Sequence, residues 1–161
     1  MRYGRHYHSS CEFNGEFVYV FCGIQNQNKK YFNYIERLNV KASLNNFNVQ
    51  WEVINCTDIS KTRSVSIPPR QGNGACQKDN DTIVILGGFG GKFFSDSWDF
   101  NPNTNVLKQS AVQLDRECFP FAVPTVSDIS GGELYTVDWK TMQMLNFKQN
   151  KWSVIKKIKD Q

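Results

Sequence analysis

The stretch Thr82-Ile83-Val84-Ile85-Leu86-Gly87-Gly88 decides the fold of this chain. It is rich in β-branched residues, which favour strands. The polar run 79–81 precedes it and the glycine doublet follows it, and both are turn signals. Two other stretches, 17–21 and 133–137, have the same strand-like composition between turn signals. No segment shows a convincing helical period, so the sequence predicts an all-β chain.

These stretches belong to an internal repeat. Four residues of the second unit follow similar residues of the first unit at a constant distance of 65 positions. The pairs are Arg5 and Arg70, Ser10 and Ala75, Cys11 and Cys76, and Gly23 and Gly88. The second and third units match further along, where 101–107 has the same spacing of asparagines as 146–152. Trp51 follows Asn39 at twice the distance found in the other units, so the first unit carries an insertion around 41–48.

Each unit is predicted to contain four strands. The ranges are 6–12, 17–22, 33–39 and 49–54, then 73–78, 82–87, 96–101 and 105–109, then 120–126, 133–138, 142–147 and 151–155. We expect a single domain over 1–161, with units at 1–55, 70–115 and 116–156, a surface linker at 56–69 and a basic tail at 157–161. The asparagines of the turns in the second and third units suit the left-handed backbone of tight turns.

The repeat resembles the kelch motif of kelch-type β-propellers. The residues that carry the resemblance are Arg5, His8, Cys22, Gly23, Trp51, Arg70, Gly87, Gly88 and Trp152. The likeness covers nearly the whole chain as about three repeats, with Cys22 replacing one glycine and the pair 138–139 replacing the glycine doublet of the third unit. It implies three four-stranded antiparallel sheets, the blades of a propeller. Because propellers typically have about four to eight blades, three blades would form an incomplete or half propeller.

Composition and charge exclude several classes of protein. The chain has no apolar run long enough for a membrane helix, and its first residues, Met1-Arg2-Tyr3-Gly4-Arg5, have no signal-peptide core. The net charge of +4 comes largely from lysines of the last eleven residues, so neither nucleic acid nor a membrane is expected as a partner. Five cysteines without a CxxC pair predict reduced, mostly buried thiols in a cytoplasmic protein.

Catalytic and metal sites find little support in the sequence. His6 and His8 would point to the same side of a strand and could coordinate a metal ion, but the sequence shows no third ligand near them. A copper-radical site, known in a minority of kelch-like enzymes, could be imagined from Tyr7, His8 and Cys22. We expect no cofactor, no bound metal and no enzymatic activity.

The loops between the second and third strands are better candidates for function. They carry aromatic residues at equivalent edges of the first two units, and the insertion adds one more: the candidates are Tyr31, Phe32, Phe47, Phe89, Phe93 and Phe94. Exposed aromatic residues on loops are plausible anchors for protein partners, although they could instead pack back onto a neighbouring unit.

The resemblance implies an interaction platform, because kelch-like proteins mostly bind other proteins through such loops. We therefore expect a non-enzymatic binding module or scaffold, such as a component of a cytoskeletal or ciliary assembly. Its partner would be another protein, or a second copy that completes the propeller. The alternatives are an enzyme acting on a sugar or small metabolite and the substrate-recognition module of a ubiquitin ligase.

Overall fold

Three successive segments of the chain each form a four-stranded antiparallel sheet. The computed structural model describes residues 1–25, 27–45, 49–117, 126–128, 132–138 and 141–157. The first sheet contains β1 (Ser9–Phe13), β2 (Phe17–Phe21), β5 (Ile35–Asn39) and β6 (Glu52–Ile54). A small hairpin of β3 (Ile24–Gln25) and β4 (Lys30–Tyr31) lies between β2 and β5, and the helix α1 (Val40–Asn45) follows β5. The prediction of an all-β chain is confirmed.

The second and third sheets repeat the same order. The second contains β7 (Gly74–Asp79), β8 (Thr82–Leu86), β9 (Ser97–Asn101) and β10 (Val106–Gln109). The third contains β11 (Val126–Asp128), β12 (Glu133–Val137), β13 (Thr141–Asn146) and β14 (Lys151–Lys157). In every sheet the strands pair in chain order, and the first strands are neighbours in space, with β1 against β7 and β7 against β11.

The second sheet is buried on both faces. Ile83 and Ile85 of β8 pack in a cluster with the first sheet, whereas Val84 and Leu86 pack in a cluster with the third. Successive side chains of a strand point to opposite faces, so one continuous apolar strand serves two interfaces. This explains why the stretch 82–86 is apolar without alternation.

The asparagine turns that the sequence predicts are present in the second and third sheets. Asn105 and Asn150 have φ of 56° and 49°, the left-handed conformation expected of the asparagine turns. The Asn101 side chain accepts hydrogen bonds from the backbone N–H groups of Asn103 and Thr104, at 3.0 and 2.9 Å. The Asn146 side chain accepts one from the Gln149 N–H at 3.0 Å.

The doublets after β2 and β8 share one backbone conformation. Cys22 and Gly87 both have φ of 58°, and Gly23 and Gly88 both have φ of 101°. A Cβ on Gly88 would lie 2.8 Å from the Gln71 carbonyl oxygen, so the second position requires glycine. The first position has a φ of 58°, which a residue with a side chain can adopt, and in the first sheet this residue is Cys22.

Several sequence-based boundaries need correction. The insertion forms the helix α1 where no helix was predicted, and the Asn39 side chain caps it by accepting a hydrogen bond from the Ala42 N–H at 2.7 Å. The linker is not merely a surface loop, because Cys56 and Ile67 lie in the cluster between the first two sheets. Its Thr57 also pairs with β10 in parallel.

Strand ends differ as well. β1 begins at Ser9, three residues later than predicted, and β14 extends to Lys157, which was assigned to the tail. Most of the predicted strand 120–126 and the tail beyond residue 157 lie outside the described residues. Among the residues that the structure describes, no helix is long and apolar enough to cross a membrane.

Ile83→Ala is predicted to lower the free energy of unfolding by about 2–5 kcal/mol, because it removes a fully buried side chain between two sheets. Urea unfolding followed by tryptophan fluorescence measures the change. Ile155→Ala serves as the matched control, since that isoleucine is 49% exposed and should cost less than about 1 kcal/mol. Equal losses in the two variants would contradict the burial of Ile83 between the first two sheets.

Candidate functional site

A buried arginine organises the loop edge of the second sheet. The Arg70 side chain is fully buried and binds Asp96 through two hydrogen bonds of 2.5 and 2.8 Å. It also donates to the carbonyl oxygen of Gly87 at 2.9 Å and to that of Pro68 at 3.0 Å. Its guanidinium carbon lies 4.0 Å from the centre of the Phe94 ring, within range of a cation–π contact. One side chain therefore ties the end of β8 to the residue before β9.

Arg5 does the same in the first sheet. It forms a buried ion pair with Glu36 and donates a hydrogen bond of 2.9 Å to the carbonyl oxygen of Cys22. Its guanidinium lies 4.9 Å from the centre of the Phe32 ring. Each of the first two sheets thus combines an arginine, a strand-end carbonyl, a carboxylate and a phenyl ring.

The repeat spacing in the sequence predicted the arginines and the strand ends of this arrangement, but not the carboxylates and the rings. Arg5 and Arg70 share the repeat register with Cys22 and Gly87, but the acids and rings do not, because the two loops differ in length. Sequence analysis therefore missed Glu36 and Asp96. The available signal was an acid close to the start of the third strand in both units.

The Arg70 ion pair shifts the titration of its partner. Burial by itself raises the pKa of Asp96, but the hydrogen bonds and charge of Arg70, with a 2.8 Å bond from the Trp98 indole N–H, outweigh burial. The pKa of Asp96 consequently lies below its ordinary value. The carboxylate stays ionised beside the guanidinium at physiological pH.

The described part of the third sheet closes its equivalent edge differently. Asp138 accepts hydrogen bonds from the backbone N–H and the hydroxyl of Thr141, at 2.7 and 3.2 Å. The fully buried Gln143 side chain accepts from the Arg116 N–H at 3.2 Å and donates to its carbonyl oxygen at 3.4 Å. Asp138 therefore joins the end of β12 directly to the first residue of β13.

The loops of the first two sheets meet at one aromatic cluster. The rings of Tyr31 and Phe89 have centroids 6.3 Å apart, and those of Phe89 and Phe93 lie 5.2 Å apart. Tyr31 belongs to the first unit and the two phenylalanines to the second, so the cluster bridges the sheets. We call these three residues the aromatic edge. Phe93 is 41% exposed, and the other two are partly exposed.

The other candidate aromatics have different positions. Phe32 is buried at 4% exposure under Arg5, and Phe94 is half-buried under Arg70. The expectation that Phe32 anchors a partner is therefore corrected to a structural role, whereas Phe94 packs on Arg70 and remains partly exposed. Phe47 lies outside the described residues.

The aromatic edge lies among basic residues. Its loops carry Lys29, Lys30 and Lys92, and neither the stretch 23–34 nor the stretch 87–95 contains an aspartate or glutamate. The first acids after these loops, Glu36 and Asp96, are held by Arg5 and Arg70. The edge is therefore apolar and positively charged.

The residues considered for metal or radical chemistry lie just before β1 and in the doublet that follows β2. Tyr7 has a φ of 55° and β1 begins only at Ser9, so His6 and His8 do not alternate along a strand as predicted. The Cys22 thiol is fully buried in the cluster between the first two sheets, and burial raises its pKa to about 12. Within the described ranges, no group of three or more His, Cys, Asp or Glu residues could hold a metal ion.

The other cysteines in the described part of the chain resemble Cys22. Cys11 and Cys56 are also free thiols, and burial raises the pKa of each to about 12. Cys76 is buried in the cluster between the second and third sheets. A thiol with so high a pKa carries little thiolate at neutral pH and is therefore a poor nucleophile. Cys118 lies outside the described residues.

Comparison with known proteins supports the fold. No family model and no curated protein match the sequence. A solved structure described as "Structure of YjhT" matches with a TM-score of 0.68 at 12% sequence identity. The match covers 96% of this chain and 52% of the solved chain, so this chain spans about half of that protein's length. At this identity the likeness shows the fold alone.

Asp96→Asn is predicted to lower the free energy of unfolding by about 3 kcal/mol, because it leaves the buried Arg70 guanidinium without its counter-ion. Chemical denaturation measures the loss. The control is Glu52→Gln, which removes a 2.8 Å ion pair with Arg37 from a carboxylate that is 61% exposed. That variant should lose less than about 1 kcal/mol, and a comparable loss would argue against the role of burial.

The stability of the fold is also predicted to fall as His8 becomes protonated. Burial and the nearby positive charge of Arg5 lower the pKa of His8, so the unfolded chain binds this proton more readily than the folded one. The free energy of unfolding has its full value with respect to His8 above the pKa of His8 in the unfolded chain, which is about 6.5. It falls as the pH drops from there towards the lower pKa of His8 in the folded protein. Denaturation of the wild type and of His8→Gln at pH 7.5 and 5.5 measures it. An equal pH effect in both proteins would refute it.

Proposed function

We propose that this chain consists of three consecutive blades of a kelch-type β-propeller. Three observations support this class: the sheets share one strand order, their first strands lie side by side, and two of them repeat the same buried arginine arrangement. In a propeller, the first strands of radially arranged sheets converge on one axis. The units proposed as blades span 1–55, 70–115 and 116–156.

We further propose that the module acts without catalysis, by binding another protein at the aromatic edge. The observation that carries this proposal is the cluster of Tyr31, Phe89 and Phe93, which is built from two sheets and partly open to solvent. Aromatic residues are enriched among the residues that dominate protein interfaces. The lysines around the cluster favour a partner surface that is apolar at its centre and acidic at its rim.

The edge is held in place before a partner binds. Arg5 and Arg70 fix the ends of both loops, and the Gln71–Phe89 backbone bridge fixes the aromatic residue between them. A rigid binding surface loses little conformational entropy on association. This suits a scaffold, in the cytoplasm or on the cytoskeleton, where the thiols would remain reduced.

Phe93→Ala is predicted to weaken partner binding by roughly 30-fold, equivalent to about 2 kcal/mol for an interface residue of this kind. The measurement is quantitative affinity capture with the purified chain, followed by titration of the recovered partner. Thermal unfolding should be unchanged, because Phe93 is 41% exposed.

Leu44→Ala is the matched control, since Leu44 is 79% exposed on α1, outside the aromatic edge. It should bind like the wild type. If Phe93→Ala retains full affinity, or if both variants lose it, the aromatic edge is not the binding surface.

A further inference from the structure

The linker extends the second sheet by a single residue. Its Thr57 lies in a short hairpin opposite Ser64. On its other side Thr57 bonds to β10 in parallel. The Thr57 N–H donates to the Asn105 carbonyl oxygen at 3.0 Å, and the Thr57 carbonyl oxygen accepts from the Leu107 N–H at 2.9 Å. The outer strand of the second sheet therefore already accepts one residue of an extended segment as a parallel neighbour.

The linker turns away from β10 directly after Thr57. The Asp58 N–H donates to the Arg63 carbonyl oxygen at 3.0 Å. The Asp58 carboxylate accepts hydrogen bonds from the Ser60 hydroxyl at 2.9 Å and from the Thr62 N–H at 3.0 Å. These bonds close the turn on itself, so the linker does not continue along β10.

The next hydrogen-bonding positions of β10 face away from the sheet. The Ser110 N–H donates to the Ser97 carbonyl oxygen at 2.9 Å, and antiparallel ladders alternate bonded and non-bonded pairs. Lys108 is consequently bonded to β9, whereas Leu107 and Gln109 direct their backbone groups outward. Among the residues that the structure describes, the Leu107 carbonyl oxygen and the Gln109 N–H have no hydrogen-bond partner. They form the acceptor and donor that one further strand residue requires.

An open groove lies beside these two backbone groups. It has a volume of about 510 Å³, and its lining includes the apolar residues Ile59, Val65 and Leu107. Ile59 is 72% exposed, and Val65 packs against the cluster between the first two sheets. In strand addition, main-chain hydrogen bonds give affinity and pockets for alternate side chains give specificity. The edge of β10 offers both features.

Alternation along β10 gives the site two chemically different faces. Leu107 is buried in the cluster between the first two sheets, and Gln109 shares its face, whereas Lys108 points to the opposite face. The Lys108 side chain is 54% exposed, and its ammonium nitrogen lies 3.8 Å from the Asp99 carboxylate. An ammonium group has three donors, so Lys108 can bind a second acid. A strand residue opposite Lys108 would share its face, and the next residue would share the apolar face.

We propose that the edge of β10 is a second binding site, which takes an extended segment of a partner protein as an additional parallel strand. The segment's residue opposite Lys108 donates its N–H to the Leu107 carbonyl oxygen and accepts from the Gln109 N–H. An acidic residue suits that position, because the adjacent turn also carries the exposed Lys61 and Arg63. An apolar residue after it enters the groove. The site shares no residue with the aromatic edge and does not depend on what binds there.

Fluorescence anisotropy with two labelled hexapeptides tests the chemistry of the segment. One peptide alternates glutamate and valine, and the other alternates lysine and valine. The glutamate peptide should bind the purified chain about fivefold more tightly, because opposite charges attract and like charges repel across neighbouring strands. In Lys108→Glu this preference should reverse. Equal binding of both peptides to the wild type, or an unchanged preference in the variant, would overturn the assignment.

A backbone variant tests the strand pairing. Gln109→Pro removes the outward N–H, and proline is tolerated on an edge strand where that group faces solvent. The variant should fold, as checked by far-UV circular dichroism, and bind the glutamate peptide roughly tenfold more weakly. The matched control Gln109→Ala keeps the N–H and should bind within about twofold of the wild type. Equal affinity of the proline and alanine variants would contradict the proposal.

Amide hydrogen exchange of the wild type gives an answer that needs no variant. At saturating glutamate peptide, exchange of the Gln109 N–H should slow by about tenfold or more, whereas that of the Lys108 N–H, which already faces β9, should not change. No slowing at Gln109 would refute the proposal. Protection of Gln109 that rises with chain concentration in the absence of peptide would identify a second copy as the occupant and would also refute it.

Phe93→Ala separates this site from the aromatic edge. It should bind the glutamate peptide like the wild type, because Phe93 lies outside the groove. A loss of peptide binding in Phe93→Ala would place the peptide at the aromatic edge and would overturn the proposal for β10.

Discussion

Arg70 connects the first two sheets through both its backbone and its side chain. Its N–H donates to the Phe32 carbonyl oxygen at 3.2 Å, and its own carbonyl oxygen accepts from the Gly23 N–H at 2.8 Å, so its backbone is bonded to the loop of the first sheet. Its side chain meanwhile binds Gly87 and Asp96 of the second sheet. A buried guanidinium has five donors in a fixed plane, which lets a single residue hold two loops and two strand ends together.

This arrangement divides the loop aromatics into two groups. Phe32 and Phe94 pack over the guanidinium groups of Arg5 and Arg70. Tyr31, Phe89 and Phe93 lie beyond them and form the aromatic edge. The neighbouring residues Phe93 and Phe94 therefore have different surroundings, since Phe93 is 41% exposed and Phe94 packs on Arg70.

Much of the fold could be predicted because its signals are local. The stretches 17–21, 82–86 and 133–137 form second strands as expected, and Asn105 and Asn150 form the expected left-handed turns. The helix α1 was missed because six residues with one capping side chain show no helical period. The linker was misjudged because the burial of Ile67 depends on the sheets on either side of it.

The sequence by itself determined the strands, the turns and the repeat, since strand propensity and left-handed asparagines act over a few residues. Only the tertiary structure decided which acid meets which arginine, because Glu36 and Asp96 reach their partners across loops of unequal length. It alone also decided which loop aromatics are exposed. These properties depend on the packing of one sheet against another, which no single stretch of sequence encodes.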